Sequence, residues 1–247
     1  MKLTATYPFI YLIVVIAVSI KLLPKNHHIS INSKIPSHQL WNEVLEKHVS
    51  NKGVVNYKEI AKSKKFEKYL SQLASSNPYG AKWSKEDRLC FWINVYNAFT
   101  IKLIINNPGI KSIKEIDEPW SNKFIEINEE SISLGEIEHE ILRKQNEPMI
   151  HFAIVCASLS CPVLLNRAYE PDSLKEQLVA QAKCFINDPK RNNLTSKELS
   201  LSKIFKWFRI DFTKRNNLIH FINKYSKVEI NTNAEISFRD YDWKLNN

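Results

Sequence analysis

The sequence of 247 residues has little glycine and little cysteine, and these shortages exclude several classes of protein. Four glycines cannot build a collagen-like repeat. Four cysteines at irregular spacing, with no Cys-x-x-Cys pair, predict no disulfide framework of the kind found in small secreted domains. The hydrophobic share of 44% and the charged share of 25% are those of an ordinary globular protein, which excludes overall disorder and a multi-span membrane protein.

Motifs for nucleotide, zinc and serine-hydrolase chemistry are missing as well. The sequence contains no Gly-x-Gly-x-x-Gly loop, no Gly-x-x-x-x-Gly-Lys-Ser/Thr loop, no His-Glu-x-x-His motif and no Gly-x-Ser-x-Gly elbow. We therefore predict no cofactor. The 35 Lys and Arg against 26 Asp and Glu give a net charge of +9, but no basic run is interleaved with stacking aromatics. Nucleic acid is therefore not a predicted partner, and the partners stay unknown at this stage.

The N-terminus carries an uncharged apolar stretch over residues 7–20, preceded by Lys2 and followed by Lys21. Its length is typical of a signal peptide, and an extension to Leu23 allows a signal anchor. We predict an export segment over residues 1–23, a tether over 24–37 and one domain over 38–247. The protein is then expected in the periplasm or at the cell surface, with the N-terminal segment as its contact with the membrane if it is not cleaved.

Hydrophobic periodicity in the remaining chain predicts an α+β fold: one mostly helical domain with a small sheet. The predicted helices cover residues 39–49, 57–73, 84–106, 134–144, 171–187 and 217–225. The predicted strands cover residues 124–127, 150–156 and 235–241, with a hairpin over 194–201. Ser84 and Ser133 are followed three residues later by Asp87 and Glu136, which is typical of helix N-termini.

The predicted helix over residues 84–106 is apolar on nearly all sides, so we expect it to be central. It also carries Asn94 and Asn97 on one side. A buried amide without hydrogen bonds costs about 1–3 kcal/mol, so both side chains need partners. They either tie down neighbouring loops or orient a catalytic group.

The predicted helix over residues 134–144 places Glu138 beside its apolar face. A buried carboxylate needs a partner, which predicts either a structural contact or the orientation of a catalytic histidine. His139 and Arg143 are four residues apart and share another side of the helix, with His139 as a candidate base.

The run from Met149 to Pro162 combines a histidine and two cysteines. On the predicted strand, His151 points away from Cys156. Pro162 suits the first position of a short helical turn, which would place the Cys161 sulfur near unpaired N–H groups and lower its pKa. Cys161, a histidine and an orienting Asn or Glu are the parts of a cysteine nucleophile site. Cys156 is either buried or a disulfide partner of Cys161.

Metal binding competes with this interpretation, because two cysteines and two histidines could supply four ligands. The Cys-x4-Cys spacing is at the loose end of zinc patterns, and the predicted strand separates His151 from Cys156, so we predict no metal. Cys90 and Cys184 lie on amphipathic helices and are expected in the core.

Several ordered motifs resemble the domain-of-unknown-function 547 family. They are Phe91-Trp92-Ile93-Asn94-Val95-Tyr96-Asn97-Ala98, then Ser133-Leu134 through Glu138-His139 to Arg143, then Ile150-His151-Phe152-Ala153 through Cys156 to Ser160-Cys161-Pro162, and finally Tyr241-Asp242-Trp243. The resemblance covers about residues 41–246 and is to an exported, bacterial-type, single-domain member. Family domains also occur beside glutaredoxin-like modules, which hints at thiol chemistry by association.

The resemblance carries functional positions onto this chain, which are Asn94, Asn97, Glu138, His139, Arg143, His151, Cys156 and Cys161. Arg88, ahead of the first motif, also matches, and we expect Arg88 and Arg143 to be binding residues. Met149 departs from the family, because relatives often carry Arg at this position.

Three functions remain open from the sequence. The first is a cysteine-dependent hydrolase or acyl transferase of the cell envelope, with Cys161 as nucleophile, His151 or His139 as base, and Glu138, Asn94 or Asn97 as the orienting group. The second is a non-catalytic envelope binding module. The third is a thiol–disulfide exchange protein that uses Cys156 and Cys161.

The C-terminus ends in an unusual aromatic segment. Chain ends are commonly polar and frayed. If Tyr241 and Trp243 were exposed, the protein would lose the stabilising free energy of burying them, about 1.5–3 kcal/mol each. We therefore expect both to dock on the core, near the helix that carries Trp92, with Asp242 capping or pairing internally.

Overall fold

The computed structural model describes residues 35–247. The predicted export segment and most of the predicted tether lie outside these residues. The described chain is α+β and mostly helical, as predicted. Its α-helices are α1 (Gln39–His48), α2 (Tyr57–Ile60), α3 (Lys64–Ala74), α4 (Lys85–Asn106), α5 (Leu134–Glu136), α6 (Leu174–Ile186), α7 (Ile204–Trp207), α8 (Arg209–Thr213) and α9 (Leu218–Asn223).

The strands form two small sheets. Strands β1 (Ile125–Ile127) and β2 (Glu130–Ile132) make an antiparallel hairpin in which Ile125 faces Ile132. Strands β3 (Asn193–Leu194) and β4 (Glu198–Leu201) make the hairpin predicted over residues 194–201. Strand β5 (Glu235–Phe238) adds to β4 in parallel.

Helix α4 is the centre of the larger hydrophobic core. It begins at the predicted capping box, in which the Ser84 hydroxyl accepts from the Asp87 N–H at 3.0 Å and the Asp87 carboxylate accepts from the Ser84 N–H at 2.8 Å. It is long and apolar enough to cross a membrane, yet 83% of its most apolar stretch of 18 residues is buried within the protein. The helix is therefore covered on nearly all sides, as its apolar residues predict.

A second, aromatic core lies beside the first. Phe152 packs there against Phe185 and Phe212, with ring centroids 5.2 and 5.6 Å apart. Ile150 and Ala153, close by in sequence, belong to the core around α4. The segment around residue 152 therefore lies between the two cores, which explains why it is apolar on all sides.

That segment is not the strand predicted over residues 150–156. Residues Pro148–Phe152 form a 3-10 helix with Pro148 in its first turn, and the Glu147 side chain accepts from the Met149 N–H at 3.1 Å. The prediction was wrong because a short apolar run fits a buried helical segment as well as a buried strand, and hydrophobic periodicity does not distinguish the two.

Two predicted helices also differ from the structure. Residues 57–73 form two helices, since Asn56 caps α2 and Ser63 caps α3, where the Ser63 hydroxyl accepts from the Phe66 N–H at 3.3 Å. The helix predicted over 134–144 starts as α5 but continues as a π-helix over Ile137–Leu142 and a 3-10 turn over Arg143–Gln145.

The C-terminus docks on the core, as expected: Leu245 and Trp243 join the core that contains Trp92, and Tyr96 of α4 lines one cavity with Tyr241 and Trp243. The Leu245 N–H donates to the Lys111 carbonyl at 2.9 Å, and the Asn246 N–H donates to the Ala157 carbonyl at 3.1 Å. Asp242 accepts from the Lys244 N–H at 3.0 Å, which is the internal capping expected of it. The tail therefore lies against the loop that carries the two cysteines.

Candidate functional site

A cavity of about 230 Å³ lies where the tail, the π-helix and the cysteine loop meet. Its wall is mainly aromatic and apolar, with a carboxyl group, two imidazoles and two sulfurs among its polar groups. It is lined by Tyr96, Trp120, Glu138, His139, His151, Ile154, Cys156, Cys161, Pro162, Ile204, Trp207, Phe208, Tyr241 and Trp243.

Cys156 and Cys161 form a disulfide in the wall of this cavity, with Cα atoms 6.3 Å apart. Cys161 is only 3% exposed, whereas Cys156 is half-buried. The backbone N–H of Cys156 donates to the Cys161 sulfur at 3.0 Å. The helical turn predicted at Pro162 does not form: residues 162–165 have no regular secondary structure. The donor beside the sulfur is therefore the Cys156 N–H and not the N-terminus of a helix.

Tyr241 contacts both sulfurs from the C-terminal tail. Its hydroxyl donates to the Cys161 Sγ at 3.2 Å, accepts from the Ser158 hydroxyl at 3.2 Å and lies 3.4 Å from the Cys156 Sγ. Burial raises the pKa of Tyr241 to about 12, so the phenol keeps its proton at neutral pH. The Cys161 sulfur is thus approached by two donors, one from the backbone and one from Tyr241.

The π-helix brings Glu138 into the wall of the same cavity. A π-turn holds one residue more than an α-turn, and such turns are frequent at functional sites. Glu138 is 8% exposed, and its Oε2 accepts from the Tyr96 hydroxyl at 3.3 Å. Burial raises the pKa of Glu138 to about 7, against the smaller opposing effects of Tyr96 and Arg143. This carboxyl group therefore exchanges its proton near neutral pH.

The turn before Glu138 depends on a close backbone approach at Gly135. The Gly135 N–H donates to the Trp120 carbonyl at 2.7 Å, and a Cβ at this position would lie 2.8 Å from that same oxygen. Gly135 thereby lets the segment with Trp120, whose side chain lines the cavity, pack against the start of α5.

His151 reaches the cavity from the 3-10 helix rather than from a strand. Its ring stacks on Phe208, with centroids 4.0 Å apart, and its Nε2 bonds to the Asp211 carboxylate at 2.9 Å. Burial lowers the pKa of His151, against the opposing effect of Asp211. The neutral imidazole therefore donates from Nε2 to Asp211. His151 and Cys156 line one cavity, which corrects the prediction that they point apart.

Arg143 and His139 extend this polar cluster. The Arg143 Nε donates to Asp211 at 2.6 Å, and its Nη1 lies 3.1 Å from the His139 Nδ1. The hydrogen bonds from His151 and then from Arg143 hold the pKa of Asp211 well below its usual range. His139 lies at the solvent-exposed edge of this cluster, and its pKa is lowered by the partial desolvation of its ring and then by the charge of Arg143.

Asn94 and Asn97 act as clamps on backbone groups outside the cavity. Asn97 donates to the Ala153 carbonyl at 2.9 Å and accepts from the Val155 N–H at 2.9 Å. Asn94 makes the same pair of bonds to Tyr169, at 2.8 and 3.0 Å. Asn97 thereby holds the chain directly before Cys156.

The remaining candidates lie elsewhere. Arg88 donates to the backbone carbonyls of Pro78, Gly80 and Trp83 and so closes the loop before α4. Cys90 is buried, as expected, but Cys184 is exposed on α6, which corrects the expectation that it lies in the core. Within residues 35–247, no group of three or more His, Cys, Asp or Glu side chains is arranged to hold a metal ion.

Sequence reasoning missed two residues of the site. Asp211 has no distinguishing pattern around it, since it lies in a short helix 60 residues after His151. Tyr241 does belong to a motif, Tyr241-Asp242-Trp243, which we interpreted as a structural tail. The signal that could have identified it is an aromatic hydroxyl within a motif shared with the family.

Comparison with known proteins gives one match. Residues 81–186 match the model of a family described as "Protein of unknown function, DUF547". No curated protein and no solved structure shows significant similarity to the chain. The matched segment contains Glu138, His139, His151 and both cysteines of the cavity, whereas Asp211 and Tyr241 lie beyond it. Over residues 81–186 the chain is therefore similar to the DUF547 family, in agreement with the resemblance of its motifs.

Proposed function

We propose that this protein is a thiol–disulfide exchange protein in which Cys156 and Cys161 alternate between a disulfide and two thiols. The observation that carries the proposal is the position of the disulfide: it lies in the wall of a cavity, with hydrogen-bond donors aimed at one of its sulfurs. A purely structural disulfide needs neither a cavity nor such donors.

The different burial of the two sulfurs supports different roles for them in this reaction. A partner thiolate attacks the half-buried Cys156 Sγ, a new sulfur–sulfur bond forms there, and the bond to Cys161 breaks. The electron pair leaves on the Cys161 sulfur, where the Cys156 N–H and the Tyr241 hydroxyl stabilise the thiolate. A second partner thiolate then attacks the mixed disulfide. The partner's two thiols become a disulfide, and Cys156 and Cys161 end as thiols that have taken up the two protons.

Glu138 supports this chemistry as a proton exchanger in the same cavity. Its pKa of about 7 means that it is protonated in slightly acidic solution and charged in slightly basic solution. A group with a pKa near the working pH is suited to give a proton to a leaving thiolate and to take it back in the reverse reaction.

A cysteine-dependent hydrolase or acyl transferase is the second candidate. It is favoured by one observation, which is that His151, held by Asp211, lines the same cavity as Cys161. In the reduced protein, the Cys161 thiol would give its proton to His151 or His139, and its sulfur would attack an acyl carbon. A thioester would form as the bond to the leaving group breaks, and the histidine would pass the proton to that leaving group. Asn94 and Asn97 contribute only indirectly here, because both hold backbone.

The exchange reaction is tested by trapping, in a Cys184→Ser background that removes the exposed third thiol. Cys161→Ser leaves Cys156 without its resolving partner, so we expect it to accumulate a mixed disulfide with an added thiol–disulfide probe. Cys156→Ser leaves the buried Cys161, which we expect to react with the probe at least about ten-fold more slowly than Cys156 does in Cys161→Ser. Mass spectrometry of the adducts measures both.

Equal trapping of the two single-cysteine variants, at the rate of an ordinary exposed thiol, would overturn the exchange proposal. Hydrolysis of a panel of activated esters and thioesters by the reduced protein, abolished by Cys161→Ser, would favour the hydrolase. A protein inactive in both assays, with an unreactive disulfide, would favour the binding module.

We further propose that the protein works outside the cytoplasm, in the cell envelope. Two features support this: the apolar segment at residues 7–20 and the disulfide, since disulfides persist in oxidising compartments. Cell fractionation and N-terminal sequencing of the native protein test export and distinguish cleavage from anchoring. Recovery of the protein with a reduced cysteine pair in the cytoplasm would contradict the proposal.

A further inference from the structure

We infer that the partner thiol at this site belongs to a cysteine in an extended peptide segment that carries an aromatic or aliphatic residue next to the cysteine. This inference rests on the proposed exchange function and names its substrate class. It comes from three observations on the cavity: its size, its exposed aromatic rim and a positive charge beside one of its aromatic rings.

The size of the cavity favours a single inserted side chain over a flat folded surface as the attacking group. About 230 Å³ accommodates the side chains of one or two residues, and it is smaller than the cavities that hold drug-sized ligands. Cys161 is buried and Cys156 half-buried at the cavity wall. A partner must therefore insert a cysteine side chain, which an extended or unfolded segment does readily and the flat face of a folded domain does not.

The rim of the cavity is an aromatic surface open to solvent. Trp207 is 47% exposed although it packs against Tyr241 and Trp243, with ring centroids 4.8 and 5.9 Å apart. Trp207, Tyr241 and Trp243 all line the cavity, so an exposed aromatic ring lies at its edge. Such a ring favours a partner with an apolar group beside its cysteine.

A positive charge lies beside one aromatic ring of the cavity. The Lys114 Nζ lies 5.4 Å from the centre of the Trp243 ring, so an ammonium group is held at the aromatic edge of the cavity. An acidic residue near the partner's cysteine is therefore favoured over a basic one.

The experiment compares thiol substrates for the oxidised Cys184→Ser protein. Three peptides of nine residues each contain one cysteine. In the first, Phe and Glu flank the cysteine; in the second, Ala and Glu; in the third, Phe and Lys. Reduced glutathione serves as the small thiol. The second-order rate constant for reduction of the disulfide is measured by quenching and alkylation, and it is corrected to equal thiolate concentration. We expect the Phe and Glu peptide to react about ten-fold faster than the other two peptides and than glutathione.

Two variants test whether the exposed Trp207 ring causes the preference for the peptide over glutathione. Trp207→Ala removes the exposed ring, so the ratio of the peptide rate to the glutathione rate should fall towards one. Tyr79→Ala removes another exposed aromatic side chain that does not line the cavity in the described part of the chain, and this ratio should stay as in the parent protein.

The outcomes separate this inference from the function on which it rests. Reduction by every thiol at equal corrected rates would overturn the peptide inference and leave the exchange function standing. If the peptide with Phe and Lys reacts faster than the peptide with Phe and Glu, the expected preference for an acidic residue beside the partner's cysteine is overturned. A disulfide that none of these thiols reduces in the folded protein would overturn the exchange function itself.

Discussion

Single residues around the disulfide combine burial with polarity, and Glu138 is the clearest case. Among residues 35–247, the hydrogen-bond partner of this buried carboxyl group is the Tyr96 hydroxyl alone, so the group is costly to ionise. Its pKa is raised by burial from 4.5 to about 7. Between these two values the folded state binds more protons than the unfolded state, so this group makes the protein less stable as the pH rises from 4.5 to 7.

Glu138→Gln should therefore stabilise the protein above pH 7. A pKa difference of this size corresponds to about 3 kcal/mol, and the variant should lack this loss because Gln does not ionise. The measurement is urea unfolding of both proteins at pH 5 and pH 8. The gain of the variant should be larger at pH 8, and an equal gain at both pH values would show that Glu138 is not the titrating group.

Tyr241→Phe tests the hydroxyl that donates to Cys161. The ring and its packing on Trp207 and Trp243 stay, while one donor to the leaving sulfur is lost. We expect reduction of the disulfide by a small thiol to slow by about ten-fold, as for the loss of one hydrogen bond to a charged group. Tyr79→Phe is the matched control, since Tyr79 is exposed. An unchanged rate in Tyr241→Phe would remove this residue from the proposed mechanism.

At the scale of elements, the site depends on segments that are not regular α-helices or strands. The π-helix over Ile137–Leu142 presents Glu138, and the 3-10 helix over Pro148–Phe152 presents His151. In the part of the chain that the structure describes, no strand pairs with the segment between His151 and Cys156. Its backbone groups at Ala153 and Val155 are satisfied by the Asn97 side chain.

Asn97→Ala should therefore cost far more stability than its size suggests. Both bonds of the amide are buried, and each unsatisfied backbone group costs about 1–3 kcal/mol, so we expect a loss of about 2–6 kcal/mol. Asn107→Ala is the control, because its side chain makes one bond, to the Leu103 carbonyl, at a partly exposed helix end. Urea unfolding measures both variants, and equal losses would contradict the clamp role of Asn97.

At the scale of the whole molecule, the C-terminal tail joins distant parts of the chain. The Val55 N–H donates to the Asn246 carbonyl at 2.8 Å, and the Tyr57 hydroxyl donates to the Asn246 Oδ1 at 2.6 Å. Leu245 is buried in the core around α4. The tail thus connects the N-terminal helices to the cysteine loop.

Deletion of residues 241–247 should lower the melting temperature by about 5–10 °C or prevent soluble expression. If the truncated protein folds, it should also exchange thiols more slowly, because Tyr241 is removed. Scanning calorimetry compares it with a protein that lacks only the exposed Asn247. Unchanged melting of the long truncation would mean that the tail does not hold the fold together.

The sequence by itself determined the features that depend on neighbours along the chain. Capping at Ser84 and Ser133 involves residues three positions apart, and the all-round apolar character of α4 is visible within one helix. The hairpin at residues 194–201 and the α+β class are equally local, and both were predicted correctly. Glu138, His139, His151 and both cysteines were found because they lie in local patterns within 24 residues of chain.

The tertiary structure alone decided what brings these residues together. The bonds of His151 to Asp211 and of Cys161 to Tyr241 span 60 and 80 residues, and no local pattern encodes such contacts. The packing of two cores on both sides of Phe152 also turned a predicted strand into a 3-10 helix. The physical reason is the same in both cases: short-range rules set caps and periodicity, whereas side-chain partners depend on how distant elements pack around a common core.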